Sequence, residues 1–257
     1  MDNKQEKNIH LLYKELGETP NQCLTRFKLK NPDYSNVPVT YAGRLDPVAE
    51  GLLLALSGDE TREKDKYLDL PKTYEFEMLW GFSTDTLDVL GLASSKEVKI
   101  PTTIEVREFL SKIAGKFEQE YPAFSSKPVL GKPLFLWAKE GKLSEVTIPG
   151  HEVEIFEADH ISRRSMMGND LLNDINSRIK LVVGDFRQKE ILEGWKKVFE
   201  NKSDEIFTID KISMSVSGGF YIRQFVSDFA KKSDSTAVAF HIKRTQVGDF
   251  MVDDCIG

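Results

Sequence analysis

The stretch Val39-Thr-Tyr-Ala-Gly43-Arg-Leu-Asp46-Pro47-Val-Ala-Glu50-Gly51-Leu-Leu-Leu-Ala-Leu-Ser-Gly58 places the tightest limit on what this chain can fold into. Leu52 to Leu56 is a short apolar run bounded by glycines, which suits a strand covered on both faces better than a surface helix. The residues before it read as a tight loop that holds Asp46 at the mouth of that strand. Gly43 supplies a positive φ or a close backbone approach, and Pro47 locks its own φ and biases Asp46 away from the helical region. An aspartate held in this way is preorganised. For an isolated Asp-Pro the competing reading is a carboxylate that bonds its own backbone in a turn.

With 257 residues, 40% of them hydrophobic, the chain has enough apolar material for a sizeable core without staples. Cys23 and Cys255 lie at opposite ends with no metal-type spacing, so neither a disulfide framework nor a zinc site is expected. The polar opening Met1 to Lys7 has no apolar signal core, and no stretch is long enough to span a bilayer. A soluble, cytoplasmic monomer without membrane association is the expectation. Charge excludes less than it first suggests. The formal −6, from 35 basic and 41 acidic residues, argues against a nucleic-acid binder, yet binding needs only a local basic face. Lys28/Lys30, Arg163/Arg164, Lys231/Lys232 and Lys243/Arg244 are candidates for one, each of which taken alone reads as ordinary solvated surface. Acidic residues are expected to be segregated away from the Asp46 side.

Elsewhere the pattern alternates between strand and helix. Asn8 to Lys14 reads as a strand, followed by Thr19 as N-cap, Pro20 at the first helical position, and Cys23, Leu24 and Phe27 on one helix face. Asp59 to Leu70 reads as a short helix broken by Pro71. Lys72 to Gly81 alternates with period two, with Tyr74, Phe76, Met78 and Trp80 on one face and Thr73, Glu75 and Glu77 on the other. Pro101-Thr-Thr opens a helix with Ile104 or Val106, Phe109, Leu110 and Ile113 at helical spacing, closed by Gly115. Strands are expected at Lys116 to Tyr121 and His151 to Ile161, with a short helix between them at Lys132 to Lys142. Between about residues 165 and 204 one helix is visible, striped by Ile191, Leu192, Trp195, Val198 and Phe199. The safer expectation is that it covers an exposed sheet edge; the alternative, which Arg187, Lys189, Lys196 and Lys197 permit, is that it makes contacts to RNA. Ser213 to Phe229 reads strand, glycine turn, helix, with Ile222, Phe225, Val226 and Phe229 buried. Arg223 falls in the first turn of that helix, where the macrodipole disfavours a cation, so an acidic partner is expected.

The string Gly43-x-Leu45-Asp46-Pro47-x-Ala49-x-Gly51-Leu52-Leu53 resembles the catalytic-loop motif of the TruB family of pseudouridine synthases. Further stretches are similar to that family's pattern: Lys72-x-Tyr74, Ser83-Thr-Asp85-Thr-Leu-Asp88, Pro122-Ala-Phe-Ser-Ser-Lys127, Gly219-Phe-Tyr221-Ile-Arg223 and Lys243-Arg244-Thr245-x-x-Gly248. The resemblance covers roughly Asn8 to Arg164 and Ile206 to Phe250. It implies an α/β (α+β) fold, a mixed, largely antiparallel sheet with flanking helices. It also implies one catalytic domain over residues 1–257, with an atypical insertion at about 165–204 and no accessory domain after the final strand. The implied activity is isomerisation of a specific uridine in RNA, in the T arm of tRNA, without cofactor or metal. By the same resemblance Asp46, Tyr74 and Arg223 are the catalytic residues, with Arg223 pairing with Asp46 and Tyr74 packing on the base. Tyr41, Gly43, Arg44, Lys72, Lys127, Tyr221, Arg244 and Thr245 are the implied substrate-binding set. Lys127, Lys132, Lys139 and Lys142 are expected to charge a flap over the RNA, and the Asp85–Asp88 turn to be held by side chain to backbone bonds.

Two departures from the family pattern are visible. Tyr41 stands where many relatives have histidine, and Lys14-Glu15 replaces a lysine-proline pair. Glycoside hydrolysis, the rival carboxylate chemistry, needs a second facing acid, and the matched motifs offer none for Asp46. His10, His151, His160 and His241 lack ligand spacing and fall on expected strands. The remaining alternatives are an inactive RNA-binding or RNA-folding protein and a protein-interaction scaffold.

Overall fold

The computed structural model describes residues 8–256. In chain order these form β1 (Ile9–Lys14), α1 (Pro20–Lys30), β2 (Val39–Ala42), β3 (Ala49–Ser57), α2 (Lys64–Leu68), β4 (Lys72–Trp80), β5 (Phe82–Thr84), β6 (Ala93–Ser95), α3 (Thr103–Leu110), β7 (Gly115–Glu120), β8 (Pro128–Val129), β9 (Lys132–Pro133), α4 (Leu134–Lys139), β10 (Gly150–Met167), α5 (Gly168–Leu181), α6 (Gln188–Val198), β11 (Ile206–Val216), α7 (Ile222–Lys232), β12 (Ala237–Val247) and β13 (Phe250–Met251). A nine-stranded sheet runs β1-β3-β12-β4-β11-β10-β7, with β2 beside β3 and β13 beside β12. Every pairing is antiparallel except β12 with β3, so the sheet is mixed and largely antiparallel, as expected.

β3 shows why the apolar run had to be a doubly covered strand. Leu52 to Leu56 are fully buried. Alternate residues enter different clusters: Leu53 and Ala55 pack with Cys23, Leu24 and Phe27 of α1, while Leu52, Leu54 and Leu56 pack with Ala42 and Val247. Period two thus serves two cores at once. Gly51, at φ +106, is required where β12 crosses: a Cβ there would stand 2.3 Å from the Arg244 carbonyl oxygen.

The α1 start carries the expected cap. Thr19 accepts from the Gln22 amide while the Gln22 side chain accepts from the Thr19 amide, and Pro20 opens the helix. On β4, Tyr74, Phe76, Met78 and Trp80 enter the central cluster with Phe225, Val226 and Phe229 of α7. α7 is buried beyond its apolar stripe, since Arg223, Gln224 and Ser227 are also enclosed.

Several boundaries move. The Asp59–Leu70 region splits into a 3-10 turn at Gly58–Glu63 and the short α2. α3 ends at Leu110, Ile104 is exposed and Val106 buried, and Gly115 opens β7. α4 spans six residues rather than the whole of 132–142, and β10 extends to Met167.

The segment after β10 differs most from expectation, because it holds two helices and covers a sheet face rather than an edge. Leu171, Ile175 and Ile179 of α5 and Ile191 and Trp195 of α6 join one cluster with Phe82, Leu79, Ile209, Val238 and Phe240. The sheet path ends instead at β1 and β7. Burying Trp195 is worth roughly 2–3 kcal/mol, and its indole N–H donates to the Val89 carbonyl at 2.9 Å. Among the described residues no helix is long and apolar enough to cross a membrane.

Candidate active site

The loop between β2 and β3 is fixed by backbone before any side chain acts. Gly43 sits at φ +80, the Ala49 amide donates to the Asp46 carbonyl at 3.0 Å, and the Gly17 amide donates to the Pro47 carbonyl at 2.8 Å. Two buried cations hold it from below. Lys14 donates to the Ala49 carbonyl at 2.6 Å and the Glu15 carbonyl at 3.0 Å, and Arg244 to the carbonyls of Leu52, Arg44 and Gly43 at 2.7, 3.3 and 3.4 Å. Burial pulls the Lys14 ammonium down to about 8.

This frame leaves the Asp46 carboxylate 36% exposed, facing Arg223, which is only 3% exposed. Arg223 Nε donates to Asp46 Oδ2 at 2.6 Å and Nη2 to Oδ1 at 3.3 Å, the two-pronged geometry that fixes a carboxylate in orientation as well as charge. Its other donors meet the Thr86 carbonyl at 2.6 Å and the Phe124 carbonyl at 3.4 Å. Arg223 therefore has the acidic partner its place in the helix demanded.

A second carboxylate, Asp88, lies 3.7 Å from Arg223 Nε and is almost completely buried. Burial pushes its carboxyl up to about 6, offset in part by Arg223. Burial lowers the pKa of Arg223, but Asp46 and Asp88 outweigh that and hold it above its ordinary value. Thr86 Oγ1 and the Leu90 amide also donate to Asp88, so the expected turn-structuring bonds exist, and the contact with Arg223 is an addition that the turn motif did not announce.

Around this pair opens a cavity of about 980 Å³. That is the upper end of ordinary ligand pockets. Tyr41, Tyr74, Tyr121, Phe124, Phe135, Phe186, Phe220 and Tyr221 give it an aromatic wall. Tyr121 stacks on His151 at 4.1 Å and meets Tyr221 edge-on at 5.7 Å. Gln119 locks Tyr221 through a reciprocal pair of bonds, accepting from its amide at 2.9 Å and donating to its carbonyl at 3.1 Å. Burial and the nearby Asp46 raise the Tyr221 phenol above its ordinary pKa. The lining holds eight basic and five acidic side chains, so the local balance reverses that of the whole chain. Segregation of acidic residues is only partial, since Asp69, Glu152 and Asp185 also line the cavity.

Of the residues selected from sequence, Tyr41, Gly43, Arg44, Asp46, Lys72, Tyr74, Lys127, Tyr221, Arg223 and Arg244 all line this cavity. Thr245 does not, and its hydroxyl donates to the Thr73 carbonyl at 3.2 Å within the sheet. Lys72 and Arg244 reach the wall with their donors engaged: Lys72 Nζ is bonded to the Leu68 and Leu70 carbonyls, both at 2.6 Å, and burial pulls it down to about 8. Both cations therefore hold main chain. Of the four flap lysines, Lys127 and Lys139 line the cavity, whereas Lys132 and Lys142 pair with Glu140. The pair Arg163/Arg164 is likewise engaged within the fold, with Asp210 and Glu77. Among the described residues no group of His, Cys, Asp and Glu side chains is arranged to hold a metal ion.

Comparison with known proteins bears on the family and the fold. Residues 33–179, more than half of the chain, match the family described as TruB family pseudouridylate synthase (N terminal domain). The tRNA pseudouridine synthase B of Bacillus anthracis is 30% identical over 252 residues, covering 97% of this chain and 69% of the relative. Those of Bacillus pumilus and Caldanaerobacter subterraneus are each 29% identical, and the chain spans 67% and 62% of them. Among solved structures, an H/ACA RNP bound to a substrate RNA containing 2'-deoxyuridine and a Cbf5-Nop10-Gar1 complex each contain a chain that superposes with TM-score 0.56 at 13% identity. Each match covers half of the solved chain, a likeness of fold alone. With the motif, the fold and the family match in agreement, the chain belongs to the TruB family of pseudouridylate synthases.

Proposed function

We propose that the chain isomerises a specific uridine of RNA to pseudouridine, with Asp46, Arg223 and Tyr74 as the catalytic residues. The observation that carries this reading is the Asp46–Arg223 pair: a carboxylate held by two prongs, yet open to an aromatic cavity of net positive lining. The reaction breaks the bond from ribose C1′ to N1 of uracil and joins C1′ to C5, with one proton lost from C5 and one gained at N1. It therefore needs an ionised carboxylate able to act as nucleophile or base, and no net redox change. Arg223 keeps Asp46 oriented toward the cavity. Tyr74, on the cavity side of β4, stacks on the base or receives the C5 proton.

A uridine inside a folded RNA has to leave its stack to reach Asp46. The aromatic wall offers it a replacement surface, and Arg44, Lys127 and Lys139 offer charge to its phosphates. The substrate is the T arm of tRNA, a reading supported by the relatives named tRNA pseudouridine synthase B. A soluble cytoplasmic monomer fits such a substrate.

The test is pseudouridine content, by mass spectrometry, of an unmodified tRNA transcript incubated with the protein, with Asp46→Asn as control. Conversion at one T-loop uridine by the wild type alone is the expected result. Binding of the transcript without conversion would support the RNA-binding alternative, and absence of both would leave the scaffold reading, which the net charge of −6 favours. Arg223→Ala is expected to slow turnover severely.

A further inference from the structure

Arg223 is held by more than Asp46, and the origin of the other contacts points to the two-helix segment. Its remaining donors reach the carbonyls of Thr86 and Phe124, which belong to two separate loops. One side chain grips both loops from outside. Arg187, at the start of α6, donates from Nη1 to Asp85 Oδ2 at 2.8 Å, and its guanidinium carbon lies 4.7 Å from the centre of the Phe124 ring. Asp85 precedes Thr86, and its other oxygen accepts from the Leu92 amide at 2.7 Å, so this carboxylate is itself anchored.

We infer that Arg187 is a positioning residue that fixes, through Asp85–Thr86 and Phe124, the two carbonyls that orient the Arg223 guanidinium. The inference rests on the proposed function for its kinetic consequence, but not for its structural one. Three observations support it. The α5–α6 loop is built to hold its place: Gln188 donates to the carbonyls of Val182 and Gly184 at 3.1 and 2.7 Å and accepts from the Phe186 amide at 3.0 Å, while Phe186 packs on the apolar cluster beneath. Arg187 itself sits at φ +62, a left-handed conformation that favours glycine and disfavours arginine. A residue kept there against its preference marks a position whose side chain is required. Finally, its contacts suit a guanidinium better than an ammonium, since the planar fork can face a carboxylate with its edge while its face lies on a ring, whereas lysine offers only a point charge.

The discriminating variant is Arg187→Gly, which relieves the backbone and removes the brace, with Arg187→Lys beside it. Arg187→Gly is expected to keep the wild-type unfolding midpoint. It should lower kcat by about tenfold with KM unchanged, the size of loss that slight misplacement of a catalytic group produces. Arg187→Lys is expected to fall between Arg187→Gly and wild type. In nitrogen-15 NMR spectra the Arg223 Nε–H resonance should shift and exchange faster in Arg187→Gly, a readout independent of turnover. An unaltered Arg223 resonance would overturn the inference, as would a raised KM with unchanged kcat and a weaker salt dependence, which describe a phosphate contact. If the wild type converts no RNA, the proposed function fails, while the Arg223 resonance still decides whether Arg187 positions it.

Discussion

Two arginine–aspartate pairs, Arg223 with Asp46 and Arg163 with Asp210, have reversed exposures. In the cavity the arginine is sealed and the carboxylate open, with Arg223 3% and Asp46 36% exposed. Between β10 and β11 the carboxylate is sealed and the arginine partly open, with Asp210 fully buried and Arg163 23% exposed. Asp210 also accepts from the Trp80 indole and bonds His160, both at 2.7 Å, while Arg163 reaches on to the Pro101 carbonyl at 2.7 Å. Every acceptor direction of Asp210 is answered by protein. The same two residue types thus make a joint in one place and, by the proposed function, a reagent in the other, and the difference lies in which partner meets the cavity.

The sharpest way to break that comparison is to neutralise each carboxylate. Asp46→Asn is expected to cost on the order of 10⁴-fold or more in turnover, with little change in thermal midpoint, because the amide oxygen can still accept from Arg223. Wild-type turnover in that variant would remove Asp46 from the chemistry. Asp210→Ala should do the reverse. Stranding the buried Trp80 and His160 partners together with the partly exposed Arg163 costs about 3–5 kcal/mol, read as a lowered urea midpoint, while turnover per folded molecule stays near that of the wild type. A stable but inactive Asp210→Ala would show that this joint also belongs to the catalytic machinery.

What was legible in the sequence follows the same division. Apolar periodicity identified β3, β4 and α7 because their burial patterns repeat locally, and the Asp46 loop was visible because glycine and proline each impose one conformation. Arg223 was conspicuous because its place at a helix start was unfavourable without an acid nearby. Hydrogen-bond satisfaction was not legible. Lys72, Arg244 and Arg163 read from sequence as charge available to RNA, yet their donors are engaged by carbonyls or by Asp210, partners set by tertiary approach. α5 was missed because Asn169, Asp170, Asn173, Asp174, Asn176 and Ser177 dilute a stripe of only Leu171, Ile175 and Ile179. Arg187 stood out only as one of several cations in the inserted segment, since its contacts with Asp85 and Phe124 span the chain and its left-handed backbone leaves no mark in the pattern.

A smaller effect separates the two sites by pH. Burial alone would raise Asp210, but the bonds from Arg163, His160 and Trp80 hold it below its ordinary 3.8. It therefore lends stability above about pH 3.8, which is lost as pH falls through the lower folded value. Asp88 has the opposite sign. Its carboxyl rises from 3.8 to about 6, so the folded state binds the extra proton and stability falls as pH climbs between those values. The whole of that fall is at most about 3 kcal/mol. Asp88→Asn should flatten the change between pH 4 and 6, and Asp210→Asn should flatten the change below pH 4, both measured by urea unfolding across pH. Identical profiles for the two variants would mean that burial does not hold Asp88 above its ordinary value against the pull of Arg223.

The mildest test replaces each arginine by lysine, keeping charge and removing the planar fork. At Arg163 the loss is one prong to Asp210 and the bond to Pro101, on a side chain already partly in water, so about 1 kcal/mol of stability should disappear. Turnover should not change. At Arg223 the same substitution keeps a cation beside Asp46 but cannot reach Asp46, Thr86 and Phe124 together, so turnover should fall in addition to a stability loss of about 1 kcal/mol or more. If both lysine variants lost stability alike and activity not at all, the exposure of the carboxylate would not be what distinguishes the two pairs, and the cavity would have to owe its chemistry to something other than the orientation that Arg223 gives Asp46.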